Sequence, residues 1–189
     1  MKTADNPENL RHDHKQTPVI QEFKSMLLTV ALSLVMMASL FLMLYAAVAL
    51  VQDKRLFTSA PKDIQAAVQP KAERFPGAHL LGWCLLVFAI FLFVGTIICG
   101  GWDGVRNGFS FRLFFFRFLF MLVSLKAFDV LFFDWFLLCR SQFFPHYYPE
   151  VSGLVGPHQF GFNWRSHLLH LLAFLPVSSG IAWICTLFS

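Results

Sequence analysis

From Met26 to Val51 the chain runs for 26 residues without one charged side chain. The hydrocarbon core of a bilayer takes roughly 20 apolar residues of α-helix, so this stretch is long enough to cross with some tilt. Three further apolar runs follow, at about residues 80–101, 113–138 and 167–188. Together they predict an all-α, polytopic membrane protein with four transmembrane helices: a polar tail over residues 1–25 and a membrane domain over 26–189. Composition agrees, because only 14% of residues are charged and 57% are hydrophobic, with 24 Phe. Soluble domains carry about 25% charged residues.

Two other classes are set aside on the same grounds. The net charge of +4 does not point to nucleic acid, since the basic residues are scattered along loops and span ends. Phospholipid headgroups account for them, at about 1 kcal/mol per well-placed Lys or Arg. The Ala47-Val48-Ala49 stretch has the look of a signal-peptide cleavage site, but signal h-regions run only about 7–15 residues, so an uncleaved anchor is expected. Met1–Ser25 reads as a mobile tail.

The first connection, Gln52–Ala78, contains SAPKDIQAAVQP. Ser59 as N-cap, Pro61 in the first turn and Pro70 as the stop predict a short helix. Ile64, Ala67 and Val68 at helical spacing suit a helix resting on the membrane surface, and a solvated linker is the other reading. Trp83 and Trp102 flank the second span near the two interfaces. GGWDGVRNGFS then reads as a tight turn with Ser110 capping the next helix. In the fourth span Pro176 predicts a kink whose freed carbonyl a Ser hydroxyl or a neighbouring helix can satisfy.

Arg140–Arg165 holds three Pro and three Gly, yet also Phe143, Phe144, Tyr147, Tyr148, Phe160, Phe162 and Trp164. A solvated loop has no use for so many rings. A folded cap over the helix ends, with aromatic rings at headgroup depth, is expected. Four spans put both termini on one side, but six Lys/Arg on that side against seven on the other do not orient the protein.

The third span carries Arg117, Lys126, Asp129 and Asp134. Each unpaired ion at the bilayer centre costs roughly 2.5–3.5 kcal/mol on insertion scales. Lys126 and Asp129 stand i, i+3, on adjoining directions of one face, and are expected to pair at the midplane. Ser39, Ser124, Ser178 and Ser179 lie at similar depth. The pair is either a proton or ion relay or a structural pair fixing helix register. Arg117, near a span end, can snorkel to headgroups. Asp134 points about 140° from Asp129 on an α-helical wheel, so the two acids need not share a partner. It does share its depth with His167 and His170, and His146, Glu150 and His158 from the cap are further candidates. Such a cluster suits a metal ion, proton passage near neutral pH, or plain hydrogen bonding to lipid and backbone.

No cofactor is predicted. Haem would need His79 to face His167 or His170, and no attachment motif accompanies them. Cys84, Cys99, Cys139 and Cys185 occur singly and read as small packing residues. Motifs for hydrolase, zinc-protease, phosphate-loop and dinucleotide chemistry are missing from the sequence.

FDVLFFDWFLLCRSQFFPHYYPEVSG and the later HQFGFNW resemble a pattern in small, uncharacterised multi-span membrane proteins of bacteria. The resemblance covers about the last third of the chain. It implies that the third helix, the aromatic cap and the entry to the fourth helix form one unit in a bacterial cell membrane, and it carries no activity. The partners expected are the lipid bilayer and a second copy or another membrane subunit, with no nucleic acid. The leading functional expectation is a non-enzymatic accessory subunit whose charged third helix locks onto its own bundle or a partner's. A proton- or cation-linked transporter working as an oligomer, and a metal-dependent membrane enzyme on Asp134, His167 and His170, are the alternatives.

Overall fold

A computed structural model describes the backbone of residues 7–57, 60–69 and 71–189, and side chains within those ranges from Gln21 onward. Every regular element among the described residues is helical. Helix α1 spans Pro7–Tyr45 and continues as a π-helix over Ala46–Val51. The helix therefore reaches back through most of the polar stretch expected as a mobile tail, and residues 1–6 lie outside the described residues. Gln52 ends the π segment in the left-handed region at φ 52°, its N–H donating to Ala47 O at 2.9 Å.

The first connection forms a 3₁₀ turn, Lys54–Phe57, and helix α2, Lys62–Ala67. The Ser59 cap and the Pro70 stop lie outside the described residues. Helix α3 covers Ala78–Arg106 and α4 covers Phe111–Phe128, which runs straight into a second π-helix, Asp129–Leu138. A one-turn helix α5, Phe143–Tyr147, and two 3₁₀ turns lead to α6, Trp164–Thr186.

Three helical stretches are long and apolar enough to cross a membrane: Gln21–Val51, Ala78–Arg106 and Trp164–Thr186. Their outward faces are oily, with Phe91 74%, Leu80 72% and Leu169 66% exposed. Such surfaces suit lipid and would drive aggregation in water. Helix α4 carries Arg112, Arg117 and Lys126 within its 18 residues and is not among the three.

GGWDGVRNGFS is not a turn throughout, because α3 continues through it to Arg106. Its glycines are packing sites instead. A Cβ on Gly104 would overlap the Phe114 ring, and one on Gly101 would stand 3.1 Å from Cys185 Sγ. Glycine weakens a helix by roughly 0.5–1 kcal/mol, and here it admits a neighbouring ring that any side chain would exclude. The turn proper is Asn107–Gly108, with Gly108 at φ 61°. Ser110 occupies the N-cap position of α4, but its side chain makes no capping bond.

Helix α1 packs mainly on α3, and α4 mainly on α6, with α1 against α4 joining the pairs. Met36, Phe114, Phe118, Met121 and Ala182 are buried where they meet. At the end where α1 turns π, α3 comes very close. A Cβ on Gly82 would lie 2.7 Å from Val51 Cγ2 and 3.0 Å from the Val51 nitrogen. Pro176 sits inside α6, and Ser179 donates to Leu175 O at 2.8 Å.

The two long connections fold together as one cap. Val48, Phe57, Ile64, Val68, Leu138, Cys139, Tyr148 and Val151 form its core. The apolar face of α2 thus points into protein; it does not rest on a membrane surface, because Tyr148 and Val151 supply a drier partner. Tyr148 is fully buried, edge-on to Phe57 with centroids 4.9 Å apart. Of the rings expected at headgroup depth, Phe143, Phe144 and Tyr147 pack on this core, Phe160 and Trp164 are exposed, and Phe162 is 38% exposed at the mouth of a cavity.

Polar contacts seal the cap. Lys71 Nζ donates to Tyr147 O at 2.8 Å and to Glu150 Oε2 at 3.1 Å, and Gln159 Nε2 donates to Asp63 Oδ2 at 2.8 Å. Burial works against the Glu150 charge, but its own backbone N–H and the Lys71 ammonium outweigh it and hold the carboxyl below its usual range. At the opposite end, Gln21 Nε2 donates to Asn107 Oδ1 at 2.9 Å, and Ser189 Oγ to Phe109 O at 3.4 Å.

Candidate functional site: a charged cavity beneath the cap

A cavity of about 700 Å³ lies between the cap and the helices, walled on two sides by the π segments. Ala47 and Val48 come from the first, and Asp129, Phe133, Asp134 and Leu138 from the second. Lys126, His167 and His170 also line it. π turns are rare and recur at functional sites.

The winding brings the acids together. On an α-helix Asp129 and Asp134 would diverge by about 140°. An i→i+5 hydrogen-bonded turn returns residue i+5 nearly above residue i, so both carboxylates border one space. The two acids keep separate partners, as their directions on an α-helical wheel allow, and the change of winding lets both border one space. Stacking accompanies it: Phe128 on Phe132 at 5.0 Å and Phe132 on Phe136 at 5.5 Å form a column, with Phe41 of α1 edge-on to Phe132 at 5.6 Å.

Each acid has a cationic or imidazole neighbour. Lys126 Nζ donates to Asp129 Oδ2 at 2.7 Å. His167 Nε2 lies 2.7 Å from Asp134 Oδ2. An ionised carboxylate only accepts, so beside an ionised Asp134 the Nε2 nitrogen is the donor. His167 Nδ1 is buried and has no partner among the described residues. The α6 entry, one helical turn before His170, thus sets an imidazole beside Asp134.

The remaining candidates fall elsewhere. His146 meets Arg74, Nε2 to Nη2 3.5 Å, Glu150 pairs with Lys71, and the His158 ring lies against Gly156. None of the three lines the cavity. His79 contacts Glu73 at 3.5 Å and borders a separate pocket, away from His167 and His170. Ser39 donates to Met36 O and Ser179 to Leu175 O, so these hydroxyls close on their own helices and not on the Lys126–Asp129 pair. Among the described residues no three His, Cys, Asp or Glu side chains are gathered as a metal-binding group. All four cysteines are free. Cys139 is buried in the cap core, whereas Cys84 and Cys99 are exposed.

Arg117 does not snorkel. Its side chain is 2% exposed and lies 2.8 Å from Asp103 Oδ2. It donates to Gly100 O and to Ser25 Oγ, both at 2.6 Å, and its guanidinium lies 4.4 Å from the centre of the Phe109 ring. The acid on α3 and the carbonyl bared beside the glycines offer it better partners than headgroups would. Asp103 escapes sequence reasoning because it stands in a stretch that resembles a turn.

Comparison with protein-family models, curated proteins and solved structures finds no match.

Proposed function

We propose that the chain is a four-span integral membrane protein of a bacterial cell membrane that couples proton movement to a cation or small polar solute at the capped cavity, working as an oligomer. The observation that carries this reading is the convergence of Lys126, Asp129, Asp134, His167 and His170 on one cavity. Ionisable groups within spans are costly, and they mark ion and proton pathways. Histidine is the side chain whose charge changes between about pH 5 and 8.

Support for a fourth span comes from the cap. The first and third connections touch through Lys71–Glu150 and Asp63–Gln159. They meet on one side of a bilayer only if residues 111–138 cross it; a non-crossing segment would leave them on opposite faces. The Arg117–Asp103 and Lys126–Asp129 pairs, and the His167 contact to Asp134, reduce what that crossing costs.

The test uses purified protein in lipid vesicles loaded with a pH-sensitive dye. An imposed sodium or potassium gradient is expected to drive proton movement. Asp129→Asn and Asp134→Asn should slow it by about tenfold or more per folded molecule reconstituted. Wild-type rates equal to those of protein-free vesicles for both cations would contradict the proposal.

A second reading, assembly with another membrane subunit, is favoured by one observation. A Cβ on Gly95 or Gly180 would meet nothing within 4 Å, and Cys99, one turn from Gly95, is exposed. These small faces admit another helix. Arg117, Lys126, Asp129 and Asp134, by contrast, are engaged inside the chain. If two copies meet on the Gly95 face, oxidation in membranes should link them into a dimer that Cys99→Ser abolishes and Cys84→Ser preserves. A chain that stays monomeric throughout would speak against that face.

A further inference from the structure

The cavity is larger than proton exchange requires. About 700 Å³ lies within the range of small-molecule sites, roughly 300–1,000 Å³, and far exceeds a bare ion. Its walls include Phe133, Phe144 and Phe162. Aromatic faces carry partial negative charge and attract large, weakly hydrated cations.

The charged and titratable groups around it are Lys62, Lys126, Asp129, Asp134, His167 and His170. Lys126 is engaged by Asp129 at 2.7 Å. Lys62 stands exposed on α2, where water screens it. When the imidazoles are neutral, Asp134 is therefore the carboxylate without a formal positive partner. The interior then favours a cation over an anion, and the rings favour an organic one.

Resting on the proton-linked reading above, we propose that the same site also takes a small organic ammonium ion, in competition with sodium or potassium. The carboxylates of Asp129 and Asp134 hold its charge, and Phe133, Phe144 and Phe162 take its apolar body. Binding exchanges one charge for another. The ammonium enters with one positive charge, and imidazolium His167 releases the proton on Nδ1 to water, breaking that N–H bond and keeping its electron pair. The net charge of the cavity is unchanged by the exchange.

Benzyltrimethylammonium, which has no proton of its own to lose, is the probe. Calorimetry on the full chain in mild detergent should show saturable binding with one proton released, read from the dependence of the heat on buffer ionisation. Affinity should fall about tenfold per pH unit once His167 is protonated, the slope of a one-proton exchange. His167→Gln should keep binding and lose the pH dependence. Phe162→Ala, at an exposed ring of the cavity mouth, should weaken binding about three- to tenfold with an unchanged melting temperature. Failure of the ammonium to bind, or equal binding of benzoate, would overturn the assignment. If sodium- or potassium-driven proton movement nonetheless persists in vesicles, the proton-linked reading survives; if it too is lacking, both fall.

Discussion

Arg117→Met is expected to destabilise the protein by about 3–5 kcal/mol, the cost of leaving a buried charge without its partner. Methionine keeps most of the length and removes the guanidinium. Asp103, whose Oδ2 lies 2.8 Å from Arg117, would lose its counter-charge, the Gly100 carbonyl its donor, and Ser25 its tie to α4. Those contacts join α1, α3 and α4, so the effect should appear as a lower melting temperature and as aggregation on size-exclusion chromatography. Arg117→Met combined with Asp103→Leu should recover much of the loss, because no orphan charge remains. A single variant that melts with the wild type would place Arg117 at the headgroups after all.

Tyr148→Ala should cost a similar amount, about 3–5 kcal/mol, through lost burial and the cavity left behind. Tyr148 is fully buried, touches Phe57 and lies under Lys71. The loss should loosen the cap and open Lys62, Lys71 and Arg74 to trypsin. Tyr148→Phe is expected to be neutral or stabilising, since the hydroxyl is buried with no partner among the described residues. The two variants also separate at high pH. Burial first, then the negative charges of Glu150 and Asp53, hold the Tyr148 phenol well above its ordinary range. A proton bound more tightly in the folded state adds stability that is complete below about pH 10 and is lost as pH rises through the folded value. Wild type should weaken in that alkaline window, and Tyr148→Phe should lack this component. Equal alkaline melting of the two would contradict a dry, unpartnered phenol.

Local features were the legible ones. Lengths of apolar runs locate the helices, since a bilayer fixes how many residues a crossing needs. The Lys126–Asp129 contact follows from i, i+3 spacing on one helix, which needs no knowledge of neighbours. Depth alone puts Asp134 beside the start of α6, though it does not choose His167, at 2.7 Å, over His170. What the sequence conceals is winding and remote partnership. A wheel of 3.6 residues per turn separates Asp129 from Asp134, and nothing in DVLFFDWFLL announces ten residues of π-helix. Gly100, Gly101 and Gly104 signal a turn and close packing equally well, and only the arrival of Phe114 and Cys185 decides. Ile64 and Val68 look like a membrane-facing stripe until Tyr148, some 80 residues later, covers them.

The charged cavity lies within the membrane only if the cap is one body over one end of the helices. The direct test is sided labelling in intact cells, with single cysteines at Lys71, Glu150 and Arg106 in a cysteine-free background and a reagent that does not cross membranes. Lys71→Cys and Glu150→Cys should react from the same face, and Arg106→Cys from the other. Opposite faces for Lys71→Cys and Glu150→Cys would mean that residues 111–138 do not cross, and the charged cavity beneath the cap would lose its place in the membrane.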